Sequence, residues 1–166
     1  MFSILIPTFN NLDYLKLCIE SIKKNSKFNH QIIIHVNQGT DGTLDYVKNS
    51  NYEFTYSKNN IGMPKALNTS SKLSKFDYIV ISHDDFYYCP NWDSYFLDEI
   101  QKINHNNFYL SGTMVGEGQV SFNAGETVEN FNEEKLLNNL KEIETYDFQG
   151  TTKCPGLVHK NIWEKV

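Results

Sequence analysis

Apolar residues fall in two rhythms along this chain, short continuous runs and stripes at helical spacing. Residues 2–6 form the first run, which Pro7 is expected to stop, and residues 32–36 form the second. A third begins Tyr78-Ile79-Val80-Ile81 and is expected to continue to Asp84. Such runs fit strands buried on both faces of a parallel sheet. Tyr52, Phe54 and Tyr56 alternate instead, as in a strand nearer an edge, and residues 108–115 add a further predicted strand. Between the runs, Leu12, Leu15, Cys18 or Ile19, and Ile22 recur at helical spacing, with Asn10 or Asn11 as N-cap. Residues 44–47 suit a short helix, and Pro64 opens one that carries Ala66, Leu67 and Leu73. Trp92, Phe96, Ile100 and Ile103 share one face of another. Residues 116–130 are polar and glycine-bearing and read as a loop. Leu136, Leu137, Leu140 and Ile143 mark a last amphipathic helix, capped by Asn132, with Glu133 and Glu134 in its first turn.

This alternation predicts an α/β fold: a mostly parallel, Rossmann-like sheet with helices on both faces. A length of 166 residues suits a single domain with a sizeable core. Ile162, Trp163 and Val166 stand at helical spacing, but the sequence stops after little more than a turn. A helix so short is marginal alone, so the chain is expected to be a piece of a longer protein.

Composition narrows the function classes. A net charge of −5 argues against a nucleic-acid partner. All fifteen basic residues are lysines, so a bound diphosphate would be neutralised by metal, lysine or backbone amides and not by a guanidinium fork. Cys18, Cys89 and Cys154 are widely spaced and propose neither a disulfide framework nor a zinc site. The apolar start is too short for a secretory leader, and no stretch reaches the length of a membrane span. A cytoplasmic location is the expectation.

Chemistry gathers in four segments that follow strands: residues 7–10 (Pro-Thr-Phe-Asn), 37–43 (Asn-Gln-Gly-Thr-Asp-Gly-Thr), 59–62 (Asn-Asn-Ile-Gly) and 82–85 (Ser-His-Asp-Asp). In a parallel sheet all four emerge at one edge, where ligands of open α/β sheets bind. Their amides suit a base and ribose. Asp84 and Asp85 offer two hard oxygen ligands for a divalent cation held against a phosphate.

In order and spacing these segments resemble the motifs of family 2 glycosyltransferases. Residues 3–10 are similar to the family's opening hydrophobic-Pro-Thr-aromatic-Asn signature. Residues 36–43 resemble its Val-Asp-Asp-Gly-Ser and Asp-Gly-Thr segment, residues 60–68 its Asn-x-Gly and Arg-Asn segment, and residues 82–85 its aspartate-rich metal motif. The resemblance implies a GT-A type fold, with a nucleotide-sugar-binding half over residues 1–92 and the start of an acceptor-binding half over residues 93–166. It implies transfer of a sugar, with inversion and with Mn²⁺ or Mg²⁺, from a nucleoside diphosphate sugar to a glycan or lipid-linked acceptor. A UDP-sugar is the first expectation for the donor, and surface-polysaccharide or lipopolysaccharide assembly for the process.

Carried over by position, Pro7, Thr8 and Asn10 border the nucleoside, and Asn37, Asp41, Asn60, Gly62 and Asn68 line the same pocket. Asp84 lies toward ribose and metal, and Asp85 is the main metal ligand. Three departures stand out. Asn37 occupies a position where an aspartate commonly accepts from the nucleobase ring nitrogen, whereas an asparagine can both accept and donate. Ser82 replaces the first acid of the longer aspartate motif, with His83 beside it. The family's catalytic base belongs to an acidic motif downstream of Pro155-Gly156-Leu157-Val158, and none precedes Val166. Glu126, Glu129 and Asp147 read as surface charges, so no catalytic base is assigned. A non-catalytic nucleotide-sugar-binding module is therefore the alternative reading. Phe86, Tyr87 and Tyr88 either cover a sugar or belong to the core.

Overall fold

The computed structural model describes residues 1–116, 120–140, 142 and 155–165. Ile143, Asp147, Cys154 and Val166, all named above, lie outside them. The elements are β1 (Ser3–Phe9), α1 (Leu12–Asn25), β2 (Gln31–Asn37), α2 (Thr43–Lys48), β3 (Glu53–Ser57), α3 (Met63–Ser70) and β4 (Tyr78–Ile81). They continue with α4 (Trp92–Ile103), β5 (Tyr109–Ser111), β6 (Val115–Gly116), β7 (Val120–Ser121), α5 (Glu133–Asn139), β8 (Gly156–His159) and α6 (Lys160–Trp163). The main sheet has the order β3-β2-β1-β4-β8-β5. β1 to β4 are mutually parallel, as expected, and β3 is at the edge.

Side chains alternate between two cores, which is why the central strands read as unbroken apolar runs. Ile4, Ile6, Ile32, Ile34, Val36, Val80 and Leu157 pack with Leu15, Cys18, Ile19 and Ile22 of α1 and with Trp92 and Phe96 of α4. Leu5, Ile33, Ile79, Ile81 and Val158 face the other way, onto Leu67 and Met63 of α3 and Trp163 of α6. Helices thus cover both faces. Gly39 shows how tightly the loop after β2 is packed: at φ +74° an added Cβ would lie 2.7 Å from Val36 and 2.8 Å from Leu44.

Several strand expectations need correction, and one strand was not anticipated. β1 does not stop at Pro7 but runs on to Phe9. The Leu5 carbonyl accepts from Ser82 N–H, so Pro7, two residues on, turns its missing donor toward the same side. β4 has already ended there, and no ladder bond is lost. β4 in turn ends at Ile81, which leaves Asp84 and Asp85 in a turn and free of the sheet. The strand expected over residues 108–115 is split between β5 in the main sheet and β6, which pairs with β7, so the expected loop over residues 116–130 carries strand at Gly116 and Val120–Ser121 and a 3-10 turn at Val128–Asn130. Finally, β8 was not anticipated as a strand. It runs antiparallel between β4 and β5, and its four residues are all buried.

The expected helices are present with changed bounds: α3 ends at Ser70, so Leu73 falls in the short 3-10 turn that follows, and α5 ends at Asn139, before Leu140. Asn11 occupies the N-cap position of α1 but makes no capping bond with its side chain. Asn132 does cap α5, accepting from Lys135 N–H at 2.8 Å.

Candidate functional site

Parallel strands deliver their following loops to one edge of the sheet, and here those loops are cross-linked by side chains. Asn10, at φ 49°, accepts from Thr40 N–H at 2.8 Å, which joins the loop after β1 to that after β2. Asp41 lies in the second loop, yet its Oδ2 accepts from Leu12 N–H at 2.9 Å and its Oδ1 from Thr43 N–H at 3.1 Å. One carboxylate thus satisfies donors at the starts of both α1 and α2. Burial would raise the Asp41 pKa, but the Thr43 side chain and the backbone donors outweigh it and hold the carboxyl below its ordinary value.

Asn37 ends β2 and is 3% exposed. Its Oδ1 accepts from Ile61 N–H and from the Ser57 hydroxyl, both at 3.0 Å, which joins the second loop to the third. Ser57 also meets His35, whose other ring nitrogen meets Thr55 at 2.7 Å. In the third loop Asn60 accepts from Gly62 N–H at 2.9 Å, and Gly62, at φ +78°, precedes the first turn of α3. No side chain lies within 4 Å of an added Cβ there, so it is the left-handed backbone that calls for glycine.

Ser82, Asp84 and Asp85 follow β4 and complete the edge. The Ser82 hydroxyl is spent on the His83 carbonyl, and Cys18 donates its thiol to the same oxygen from below at 3.4 Å. Burial raises that thiol pKa to about 12, so Cys18 supports the loop as a neutral group. Asp84 is partly buried beside the side chains of Thr8 and Asn11. Burial raises its pKa and the Asp85 charge adds to this, against the pull of Thr8 and Asn11. The buried Thr8 hydroxyl finds no well-formed hydrogen bond among the described residues. Asp85 is exposed, and its carboxylate lies 4.0 Å from His83 Nδ1. His83 stacks on Phe86, with ring centroids 5.0 Å apart.

The structure therefore brings Pro7, Thr8, Asn10, Asn37, Asp41, Asn60, Gly62, Asp84 and Asp85 to one sheet edge. Asn68 is apart from them. It sits further along α3 and lines a separate hollow of about 440 Å³ with Ser71, Lys72, Lys160 and Trp163. No cluster of three or more metal-ligating side chains occurs among the described residues. A cation at Asp84 and Asp85 would take the rest of its oxygen shell from ligand and water, as Mg²⁺ and Mn²⁺ commonly do.

Some members of the site were not singled out from the sequence, although Phe9 is the aromatic of the residues 3–10 motif. Asn11 reads as a helix cap, and only the fold shows it beside Asp84. Phe9, 46% exposed at the end of β1, is register partner to Asn37. Asn25 is 8% exposed and holds the segment after Asp85 in place, donating to the Tyr88 carbonyl at 2.7 Å and the Tyr87 hydroxyl at 3.0 Å. Tyr88 and Trp92 are core residues, with rings 4.6 Å apart.

Comparison with known proteins decides the family. The sequence model described as "Glycosyl transferase family 2" matches residues 3–157. The chain belongs to that family. A glycosyltransferase of Rickettsia bellii is 31% identical over 118 residues, which are 66% of this chain and 16% of that protein. The abequosyltransferase RfbV of Salmonella typhimurium is 33% identical over 93 residues, 51% of this chain and 28% of its own length. The chain thus spans a minor part of the curated relatives it matches. Among solved structures, Staphylococcus aureus TarS 1-349 in complex with UDP superposes with a TM-score of 0.68 at 16% identity, covering 99% of this chain and 48% of that one. The mannosyltransferase PcManGT of Pyrobaculum calidifontis, in complex with GDP-Man and Mn²⁺, gives 0.55 at 17% identity over 68% of this chain and 35% of its own. These likenesses support the GT-A glycosyltransferase fold. No helix among the described residues of this family 2 member is long and apolar enough to cross a membrane.

Proposed function

We propose that this chain is the donor-binding portion of a cytoplasmic glycosyltransferase that moves a sugar, with inversion, from a nucleoside diphosphate sugar to a glycan or lipid-linked acceptor. The observation that carries the reading is the cross-linking of four strand-end loops into one crevice, with Asp84 and Asp85 at its rim. The crevice offers a flat aromatic in Phe9, amides in Asn10, Asn37 and Asn60, and two adjacent carboxylates. A base, a ribose and a metal-bound diphosphate need groups of those kinds. TarS in complex with UDP-GlcNAc and PcManGT in complex with GDP-Man and Mn²⁺ have this fold, which supports the same class of ligand here.

Asp85, exposed at the rim, would be the principal ligand of Mn²⁺ or Mg²⁺, with Asp84 the second. Such a cation supplies charge neutralisation of the departing diphosphate. The chain's own groups do the remaining work. Asn10 and Asp41 hold two loops at fixed spacing, Thr8 and Asn11 orient Asp84, and Cys18 supports the turn that carries both acids. Residues 93–166 contribute the beginning of the acceptor side.

Isothermal titration tests the reading. Nucleoside diphosphates are titrated into the chain with and without Mn²⁺, and saturable binding strengthened by the metal is expected. Asp85→Ala removes the metal-dependent part while circular dichroism stays unchanged. Failure of every nucleoside diphosphate to bind under either condition overturns the proposal.

A further inference from the structure

The polarity of Asn37 is fixed by its neighbours. An asparagine amide can ordinarily turn either end to a ligand, because its oxygen and nitrogen are nearly alike in shape. Here the atom 3.0 Å from Ile61 N–H must be the oxygen, since a backbone N–H only donates. The Ser57 hydroxyl lies 3.0 Å from that same oxygen and divides its one proton between it and the Asn59 carbonyl at 2.8 Å, so Oδ1 is turned inward onto protein groups. Nδ2, by contrast, has no partner among the described residues, and it is absent from the polar atoms that are both buried and unpaired. The small part of Asn37 that reaches solvent, 3% of the residue, therefore includes the amide nitrogen. This end of β2 shows the crevice a hydrogen-bond donor and no acceptor.

Phe9 gives that donor a place to work. It pairs in register with Asn37, so the two side chains leave the sheet on the same face, and its ring is 46% exposed. A planar base lying on Phe9 would turn its edge toward Nδ2. Stacking alone tolerates any base, so the choice among bases falls to the edge contact. The uracil edge presents acceptor, donor, acceptor, and its central N3–H would find no acceptor in Asn37. The cytosine edge presents O2 and bare N3 as adjacent acceptors, both able to receive from the amide.

We infer that Asn37 selects the nucleobase as a donor-only reader, and that the nucleotide bound here carries cytosine in preference to uracil. This rests on the proposed nucleotide crevice and sharpens it, and it departs from the uridine expectation drawn from the motifs. The rule is that a site whose polar group meets an edge of matching polarity discriminates against the edge that leaves it, or the ligand, unpaired.

CDP and UDP form a matched pair, alike except at N3 and the 4-position. Titration calorimetry in Mn²⁺ should give CDP an affinity roughly tenfold above that of UDP, a typical value for one well-placed base contact. Asn37→Asp is isosteric and leaves one oxygen for Ile61 and Ser57 while turning the exposed atom into an acceptor. It should invert the order, with UDP favoured. UDP binding as tightly as CDP, or a ratio that Asn37→Asp leaves unchanged, overturns the inference while the nucleotide crevice stands. Absence of binding by both removes the crevice reading and this inference with it.

Discussion

Asp41 Oδ2 accepts the Leu12 backbone N–H at 2.9 Å, so an acid carried by the loop after β2 caps the helix that follows β1. The helix's own N-cap residue, Asn11, makes no such bond and lies instead beside Asp84. The cap is thus also a spacer that fixes the distance between two walls of the crevice.

Asp41→Ala should destabilise the fold by about 1–2 kcal/mol, as loss of a helix cap does. The native pKa of Asp41 is depressed, so its contribution is complete above the unfolded value near 4 and disappears as pH falls through the native one. Urea titrations should show a clear difference from the wild type at pH 7 that shrinks as the pH is lowered below 4. Equal midpoints at pH 7 would contradict the capping role.

Asp84 carries the opposite sign. Its pKa is raised in the folded state, chiefly by burial, so ionising it costs stability as pH climbs above the unfolded value. Asp84→Asn should raise the urea midpoint at pH 7, leave it unchanged at pH 3, and weaken metal-dependent nucleotide binding. A lowered midpoint at pH 7 would show that the carboxylate stabilises the loop instead.

Asn25 joins α1 to the segment that follows the two aspartates. Its amide serves Tyr87 and Tyr88, and its carbonyl accepts from Asn91 N–H at 2.9 Å. Asn25→Ala removes the buried amide that donates to the Tyr88 carbonyl and the Tyr87 hydroxyl and should cost about 1–3 kcal/mol. Chemical denaturation gives the value directly, and a loss below about 0.5 kcal/mol would mean that water replaces the amide.

Two buried histidines make stability fall in mild acid. Phe2 N–H donates to His30 Nδ1 at 3.0 Å, so His30 is neutral and its Nε2–H donates to Asp93. Burial lowers the pKa of His30, against the pull of Asp93, and burial likewise lowers that of His35. Below about pH 6.5 the unfolded chain takes up protons that the native one refuses. The urea midpoint should therefore drop between pH 7.5 and pH 5, and a flat profile would refute this account.

The sequence made the first four strands legible because β1, β2 and β4 are short apolar runs, β3 alternates as an edge strand does, and turn residues punctuate all four. The loops that carry Asn10, Asp41, Gly62 and Asp85 followed from those strands. β8 was invisible for a physical reason: Gly156-Leu157-Val158-His159 is only four residues long, and its partners Tyr78–Ile81 and Tyr109–Ser111 lie far off in the chain. Local periodicity does not report partners at that distance. Pro7 misled because its missing N–H matters only where a neighbouring strand exists to receive it. The roles of Asn11 and Phe9 likewise arise from what lies across the crevice and not from their own flanks.

The insertion of β8 also bears on how this molecule comes to be built. Tyr78 meets His159 and Ile81 meets Gly156, so the strand leading to the acidic turn gains its second neighbour only once the distant residues 156–159 have been synthesised. Until then one flank of β4 offers unpaired backbone groups to any extended segment nearby. Such distant pairing is slow to form and exposes the nascent product to aggregation. Ribosome-bound intermediates that lack residues 156–159 should therefore be strong clients for chaperones.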